Sequence, residues 1–182
     1  MKRYCTAVLA LALALPGMAA EPETGGWRSQ SGEPVPDTDA MRSVQGFAGR
    51  LLLTADRDWE QKWNTPAEHT PRFDETDEVC IGGRLTMLTF LANPKVGDDG
   101  MTDVACDVLI LRPDGSASTG AKDLPCFKVE LKGDPTHIYL SATNLEFIAE
   151  PGDPLGRWTL RVTLKDRLRG VEVPLSTGFT VK

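Results

Sequence analysis

The stretch "RWTLRVTLK", Arg157 to Lys165, constrains the fold more than any other part of the chain. Trp158, Leu160, Val162 and Leu164 fall on one side of an extended backbone, and Arg157, Thr159, Arg161, Thr163 and Lys165 on the other. Period two, with aromatic and β-branched residues on the apolar side, predicts a strand with one wet face. "VEVPLSTGFTV" follows the turn "DRLRG", with Val171, Val173 and Leu175 alternating, then Phe179 and Val181. Pro174 has no N–H to give a ladder, so this strand belongs at a sheet edge or carries a bulge near the proline. "FKVEL" alternates as well, which points Phe127, Val129 and Leu131 inward.

Two further runs are apolar on both faces. "RLTMLTFLA", Arg84 to Ala92, and "DVLIL", Asp107 to Leu111, suit central strands covered from both sides. "GRLLLT" and "HIYLSATNLEFIAE" complete a set of about seven to nine short strands, separated by turn signals such as "NPKVGDDG", "RPDG", "KGDPT" and "EPGDPLG". No βαβ alternation and no Gly-rich dinucleotide fingerprint interrupts them. The expectation is an all-β antiparallel sandwich.

One short helix is expected over "DRDWEQKWN", Asp56 to Asn64. Asp56 can cap it, Asp58 and Glu60 suit the positive end of its dipole, and Pro66 ends it. Trp59 and Trp63 are four apart and share a face. Two turns are not stable alone, so this helix must dock. Its indoles either plug an open end of the sandwich or form an aromatic platform for a sugar or peptide, which makes Trp59 and Trp63 the candidate ligand-binding residues.

The N-terminus reads as an export signal. Lys2 and Arg3 precede an apolar core from Ala7 to Leu15, then Pro16-Gly17, and Gly17 and Ala19 are the small residues wanted for a cut after Ala19. The apolar core is short of the about 20 residues that span a bilayer, and no later segment reaches that length. Residues 1–19 are therefore expected to leave, taking Cys5 with them, and the product to be periplasmic or secreted with no membrane span. Residues 20–42 hold Pro22, Pro34, Pro36 and "GGWRSQSG" without apolar periodicity, and are expected to be a flexible mature N-terminus with Trp27 as its one sticky residue. Residues 43–182 are expected to form a single β-sandwich domain. Without Lys2 and Arg3 the chain has 18 basic residues against 26 acidic ones, a formal charge of −8. That balance disfavours nucleic acid and anionic membrane as partners.

"EPGDPLGRWTLRVTLKDRLRGVEVPLSTGFTV" resembles the last two strands of immunoglobulin-like and macroglobulin-type domains. The matching positions are Asp153, Gly156, Trp158, Leu160, Val162, Asp166, Gly170, Phe179 and Val181. The resemblance implies an immunoglobulin-like sandwich and carries no catalytic or binding residue. The antibody arrangement of a tryptophan between two cysteines is missing, because none lies between Cys106 and Cys126.

In an oxidising compartment two cysteines at plausible distance are expected to form a disulfide. A hairpin folded about Pro113–Gly115 pairs Cys106 with a residue near Lys122. Cys126 is then a few positions out of register, with "STGAK" able to absorb the slack, and Cys106–Cys126 is the favoured bridge. Cys80, in "DEVCIGG", is left as a buried or free thiol, or as the true partner of one of the others. Zinc would need four ligands, and neither a C-x-x-C pair nor a nearby H-x-H supplies them. The two histidines, His69 and His137, come with no nucleophile elbow. The acids of "GDDGMTD" and "DETDE" miss calcium-loop spacing and read as solvated loop residues. No metal, no cofactor and no catalytic residue is expected. The function these features point to is a non-enzymatic binding or interaction module of the cell envelope, with a protein or carbohydrate ligand. The alternatives are a small periplasmic hydrolase with loop-borne catalytic residues and a structural domain of a larger envelope complex.

Overall fold

The computed structural model describes residues 26–29, 31–66 and 70–182. The proposed signal peptide and His69 lie outside them. Ten strands and one short helix follow in the order β1 (Met41–Val44), β2 (Phe47–Thr54), α1 (Trp59–Trp63), β3 (Glu78–Val79), β4 (Arg84–Ala92), β5 (Val104–Leu111), β6 (Ala117–Phe127), β7 (Ile138–Leu140), β8 (Leu145–Ile148), β9 (Gly156–Asp166) and β10 (Val171–Val181). They build two five-stranded sheets. In the first, β4 lies between β2 and the pair β7 and β8, with β1 outside β2; the second runs β3-β10-β9-β5-β6. Every pairing is antiparallel except the two-residue contact of β3 with β10. A β9–β10 hairpin beside β5 in one sheet, with β4 flanked by β2 and β7/β8 in the other, is an immunoglobulin-like sandwich.

The alternation in β9 is realised in full. Trp158, Leu160, Val162 and Leu164 are buried, and with Val173, Leu175 and Phe179 of β10 they face Leu51, Leu53, Leu85, Met87 and Leu91 of the first sheet. Trp158, Phe147 and Phe179 form an aromatic cluster with ring centroids 4.7 to 6.1 Å apart. The Trp158 indole N–H donates to Pro154 O at 2.9 Å, so its polar atom is satisfied inside the core. Gly49 marks the closest approach of the sheets. A Cβ there would meet Leu164 and Leu175 side-chain carbons at 2.7 and 2.9 Å. Pro174 sits on the outer edge of β10, where no ladder bond is lost, and the β9–β10 register runs through it without a shift.

Several local expectations are corrected. "FKVEL" is not a strand: β6 ends at Phe127, and Val129 is 40% exposed. The strand lies upstream, in "ASTGAKDLPCF", whose solvent-hung edge position leaves no apolar period to read. "DVLIL" is covered on one face only, and Leu109 and Leu111 stay half-buried on the other. Asp56 does not cap α1. The residue at the cap is Asp58, with no side-chain bond, while Asp56 accepts from Asp74 N at 2.9 Å and pairs with Lys62 Nζ at 2.8 Å. Pairing begins earlier than the flexible segment allows. Met41 and Arg42 pair with Arg50 and Gly49, and the Trp27 indole N–H donates to Gly49 O at 3.1 Å.

Candidate binding surface

The outer face of the first sheet is the most distinctive surface of the molecule. Strand alternation sends Leu52 of β2 and Leu88 and Phe90 of β4 away from the sandwich interior, where they make a second, smaller apolar cluster with Leu140 of β7. Trp27, Trp59, Trp63 and Phe73 lie over it. The Trp63 and Phe73 rings sit 5.3 and 6.0 Å from that of Phe90. Thus "RLTMLTFLA" is apolar on both faces because the sandwich core lies beneath it and an aromatic cover above. Trp59 and Trp63 do come together on one helix face, half-buried, but over the sheet and not at an open end of the sandwich.

Polar groups fasten this cover. Lys62 of α1 reaches Asp56 at 2.8 Å, Asp74 at 3.5 Å and Asp58 at 3.8 Å. Burial works against ionising Asp56. The Lys62 ammonium, the Asp74 N–H and the Thr54 hydroxyl outweigh it and hold the carboxyl below its ordinary range. Lys62 is raised in turn, first through its hydrogen bond to Asp56. The cluster pins a five-residue helix that could not hold its shape in isolation.

Where the aromatic cover ends, a cleft of about 420 Å³ opens, lined by Gly26, Trp27, Arg28, Gly46, Ala48, Ala92, Asn93, Thr136 and Ile138. Its cause is a change of residue size along the outward rows. Leu52 faces Leu88 across the ladder and Arg50 faces Phe90, but the next outward pair is Ala48 and Ala92. The two alanines make a low floor, Trp27 stands as one wall, and Ile138, 52% exposed, stands opposite. Arg28, Asn93 and Thr136 supply a polar rim. The far end is rigid: the Asn93 side-chain N–H donates to Gly46 O at 3.0 Å, while Arg169 donates to Asn93 O at 2.9 Å and Gln45 O at 3.0 Å. No sequence signal marked this cleft, because paired alanines mean something only once strand register is known.

A smaller cleft of about 300 Å³ lies at the side of the sandwich between Leu51–Leu53 and Thr177, with Glu75 and Asp77 at its rim. Those carboxylates are held by Arg50 at 2.7 Å and Arg157 at 2.9 Å. The remaining acids of that loop, Asp74 and Glu78, go to Lys62 and Lys182, so the "DETDE" residues diverge to separate partners. Among the described residues no group of three or more His, Cys, Asp or Glu side chains is placed to hold a metal ion. His137 is exposed in the turn before β7.

Cys106 and Cys126 form a disulfide within the second sheet, with Cα atoms 5.8 Å apart. Cys106 stands opposite Leu124, two positions from the residue expected, because β-bulges shift the β5–β6 register on either side of it. The same shifts bring Cys126 within reach. Cys80 is a free, exposed thiol.

No protein-family model matches the chain, and no curated protein matches its sequence. Among solved structures, an immunoglobulin-like protein from Pseudomonas aeruginosa is 17% identical, over 71% of this chain and 96% of that one, with a TM-score of 0.33. The CARDB domain of a Pyrococcus furiosus protein, determined in complex with di-metal ions, is 14% identical over 59% and 81% of the two chains, with a TM-score of 0.35. A family 123 glycoside hydrolase from Clostridium perfringens is 7% identical over 74% of this chain, with a TM-score of 0.41, and the match spans 27% of the hydrolase. At these scores none of the three bears on what the present chain binds.

Proposed function

We propose that the protein is an exported, non-enzymatic binding module of the cell envelope that holds a protein or carbohydrate ligand on the outer face of its first sheet. The observation that carries this reading is the cleft with an Ala48/Ala92 floor and a Trp27 wall. Flat indole surface beside a few polar groups suits a sugar ring or a peptide side chain, and the volume is within the range of small-ligand sites, about 300–1,000 Å³. The bond from the Trp27 indole to Gly49 O holds the wall in place before any ligand arrives. Trp59 and Trp63 continue the same aromatic surface away from the cleft. The export signal and the acidic balance support an envelope ligand over nucleic acid.

The test is a calorimetric titration with soluble cell-wall glycan fragments and with a peptide panel, on the wild type and on Ala92→Phe, which fills the cleft. Binding lost in Ala92→Phe at an unchanged melting temperature supports the reading, and equal binding by both proteins sinks it. Trp59→Ala/Trp63→Ala separates cover from contact. It should lower the melting temperature by several degrees, since half-buried indoles are removed from an apolar cluster, while binding in the cleft persists. Fragments recovered cleaved from the wild-type titration would favour a hydrolase.

A further inference from the structure

The cleft between Trp27 and Ile138 is an apolar slot whose side-chain donors are mostly spent. The Trp27 indole N–H goes to Gly49 O at 3.1 Å, and the Thr136 hydroxyl donates to Asp134 Oδ1 at 2.7 Å. Asn93 gives one amide N–H to Gly46 O at 3.0 Å and keeps the other. Arg28 is the exception. It spends one N–H on Gly32 O at 2.8 Å, makes no ion pair among the described residues, and keeps the rest of its planar fork.

Although the chain as a whole is acidic, no carboxylate lines the cleft, and Arg28 carries the one formal charge in its lining. Two acids stand outside that lining. Asp134 is engaged by the N–H and hydroxyl of Thr136, and Glu33 lies in the turn beyond Arg28 without pairing to it. More distant carboxylates are screened beyond about 8 Å at physiological salt, so the guanidinium is the group a ligand meets.

These features discriminate among ligands. A sugar ring carries hydroxyls around its whole edge, and those turned to the Ala48 and Ala92 methyls and to Ile138 would leave water with nothing to bond. An apolar side chain gains from the same surfaces. The unused groups at the rim are the Arg28 fork, which suits an anion, and the side-chain oxygens of Asn93 and Thr136, which suit N–H donors. A peptide supplies an apolar side chain, a carboxylate and backbone N–H groups together, whereas a small free acid brings no N–H. We propose that the cleft takes an acidic peptide, seating an apolar side chain between Trp27 and Ile138 with a neighbouring carboxylate on Arg28. This rests on the reading of the cleft as a binding site.

The experiment is a titration followed by heteronuclear NMR with two blocked dipeptides, acetyl-Phe-Asp-amide and acetyl-Phe-Asn-amide, which match in shape and differ in charge. The aspartyl peptide should bind the wild type about three- to fivefold tighter at low salt, with the difference shrinking at high salt. Arg28→Gln should lose that preference and keep its affinity for the asparaginyl peptide, and Arg28→Glu should prefer acetyl-Phe-Lys-amide. If Arg28→Gln lowers the melting temperature by loosening the turn at Gly32, Arg28→Lys decides, since it keeps the charge and should keep a reduced preference. Equal binding of the two peptides by the wild type, a preference that survives in Arg28→Gln or vanishes in Arg28→Lys, or no peptide binding at the millimolar limit of the method overturns the proposal. Glycan binding that Ala92→Phe abolishes, with neither peptide bound, would reject the acidic peptide and keep the cleft as a site. Peptide binding unchanged in Ala92→Phe would reject the cleft itself.

Discussion

Replacing Asp166 with alanine removes a carboxylate whose side chain is 0% exposed and on which three connections converge. It accepts from Lys95 N at 2.7 Å, from Arg169 N at 3.0 Å and from Arg169 Nε at 3.5 Å. The loss strands two backbone donors and the Arg169 guanidinium, which holds Gln45 and Asn93 through their carbonyls. Breaking a fully buried ion pair from one side costs about 3–5 kcal/mol. Arg169 is 20% exposed, and solvent takes up part of its charge, so the low end applies, about 3 kcal/mol. For a chain of this size that is a fall of roughly 6–12 °C in melting temperature. Urea titration followed by circular dichroism measures it directly. Asp166→Asn keeps an acceptor of the same shape and should lose about half as much. Asp166→Ala/Arg169→Ala should cost less than the two single changes added together, because each single change orphans the other partner. A loss within about 0.5 kcal/mol for Asp166→Ala would refute the reasoning, since it would rank the site with ordinary surface positions.

Two further outcomes can be measured. Reducing the Cys106–Cys126 bridge, or Cys106→Ser/Cys126→Ser, should cost about 3 kcal/mol in the chain-entropy treatment for a separation of 20 residues, and the oxidised chain without residues 1–19 should titrate one thiol, that of Cys80; three thiols would show that the bridge does not form. Docking of α1 should weaken at both pH extremes. Asp56 has a folded pKa below its unfolded one, so its contribution is complete above about 4 and is lost as pH falls through the folded value. Lys62 is raised, so its contribution is complete below about 10.4 and is lost as pH climbs through the folded value. Tryptophan emission should report both transitions, and Asp56→Asn should remove the acid one; an identical acid transition in that variant would assign it elsewhere.

Where burial repeats with the backbone, the sequence reveals it. The β9 alternation, the edge placement of Pro174 and the two-sided burial of β4 all follow from one residue in two facing the core, or from every residue facing something apolar. Legibility stops where a residue's neighbours come from other strands. Asp166 opens "DRLRG", which reads as a solvent-facing turn, yet it ends β9 and its carboxylate is covered by the chain just beyond β4, at Lys95, and by Arg169. The Ala48/Ala92 floor exists only in the β2–β4 register, and nothing near either alanine announces the other. Strand β6 was legible only as the return arm of the hairpin about Pro113–Gly115, because at a solvent edge both faces of "ASTGAK" are tolerant and no period is imposed.

The buried ion pair and the cleft are parts of one arrangement. Gly46 and Asn93 line the cleft, and the carbonyls of Gln45 and Asn93 are the two that Arg169 holds, with Asp166 holding Arg169 in its turn. Gln45 and Asn93 both have positive φ, backbone that L-residues adopt at a cost and that their surroundings must enforce. A junction needed only for stability would have no reason to fix the two turns that border a cavity. If it serves to hold the cleft open in one shape, Asp166→Asn should weaken ligand binding by more than its modest stability loss explains, at a temperature where the variant is fully folded. Binding equal to wild type under that condition would reduce the pair to a structural clamp.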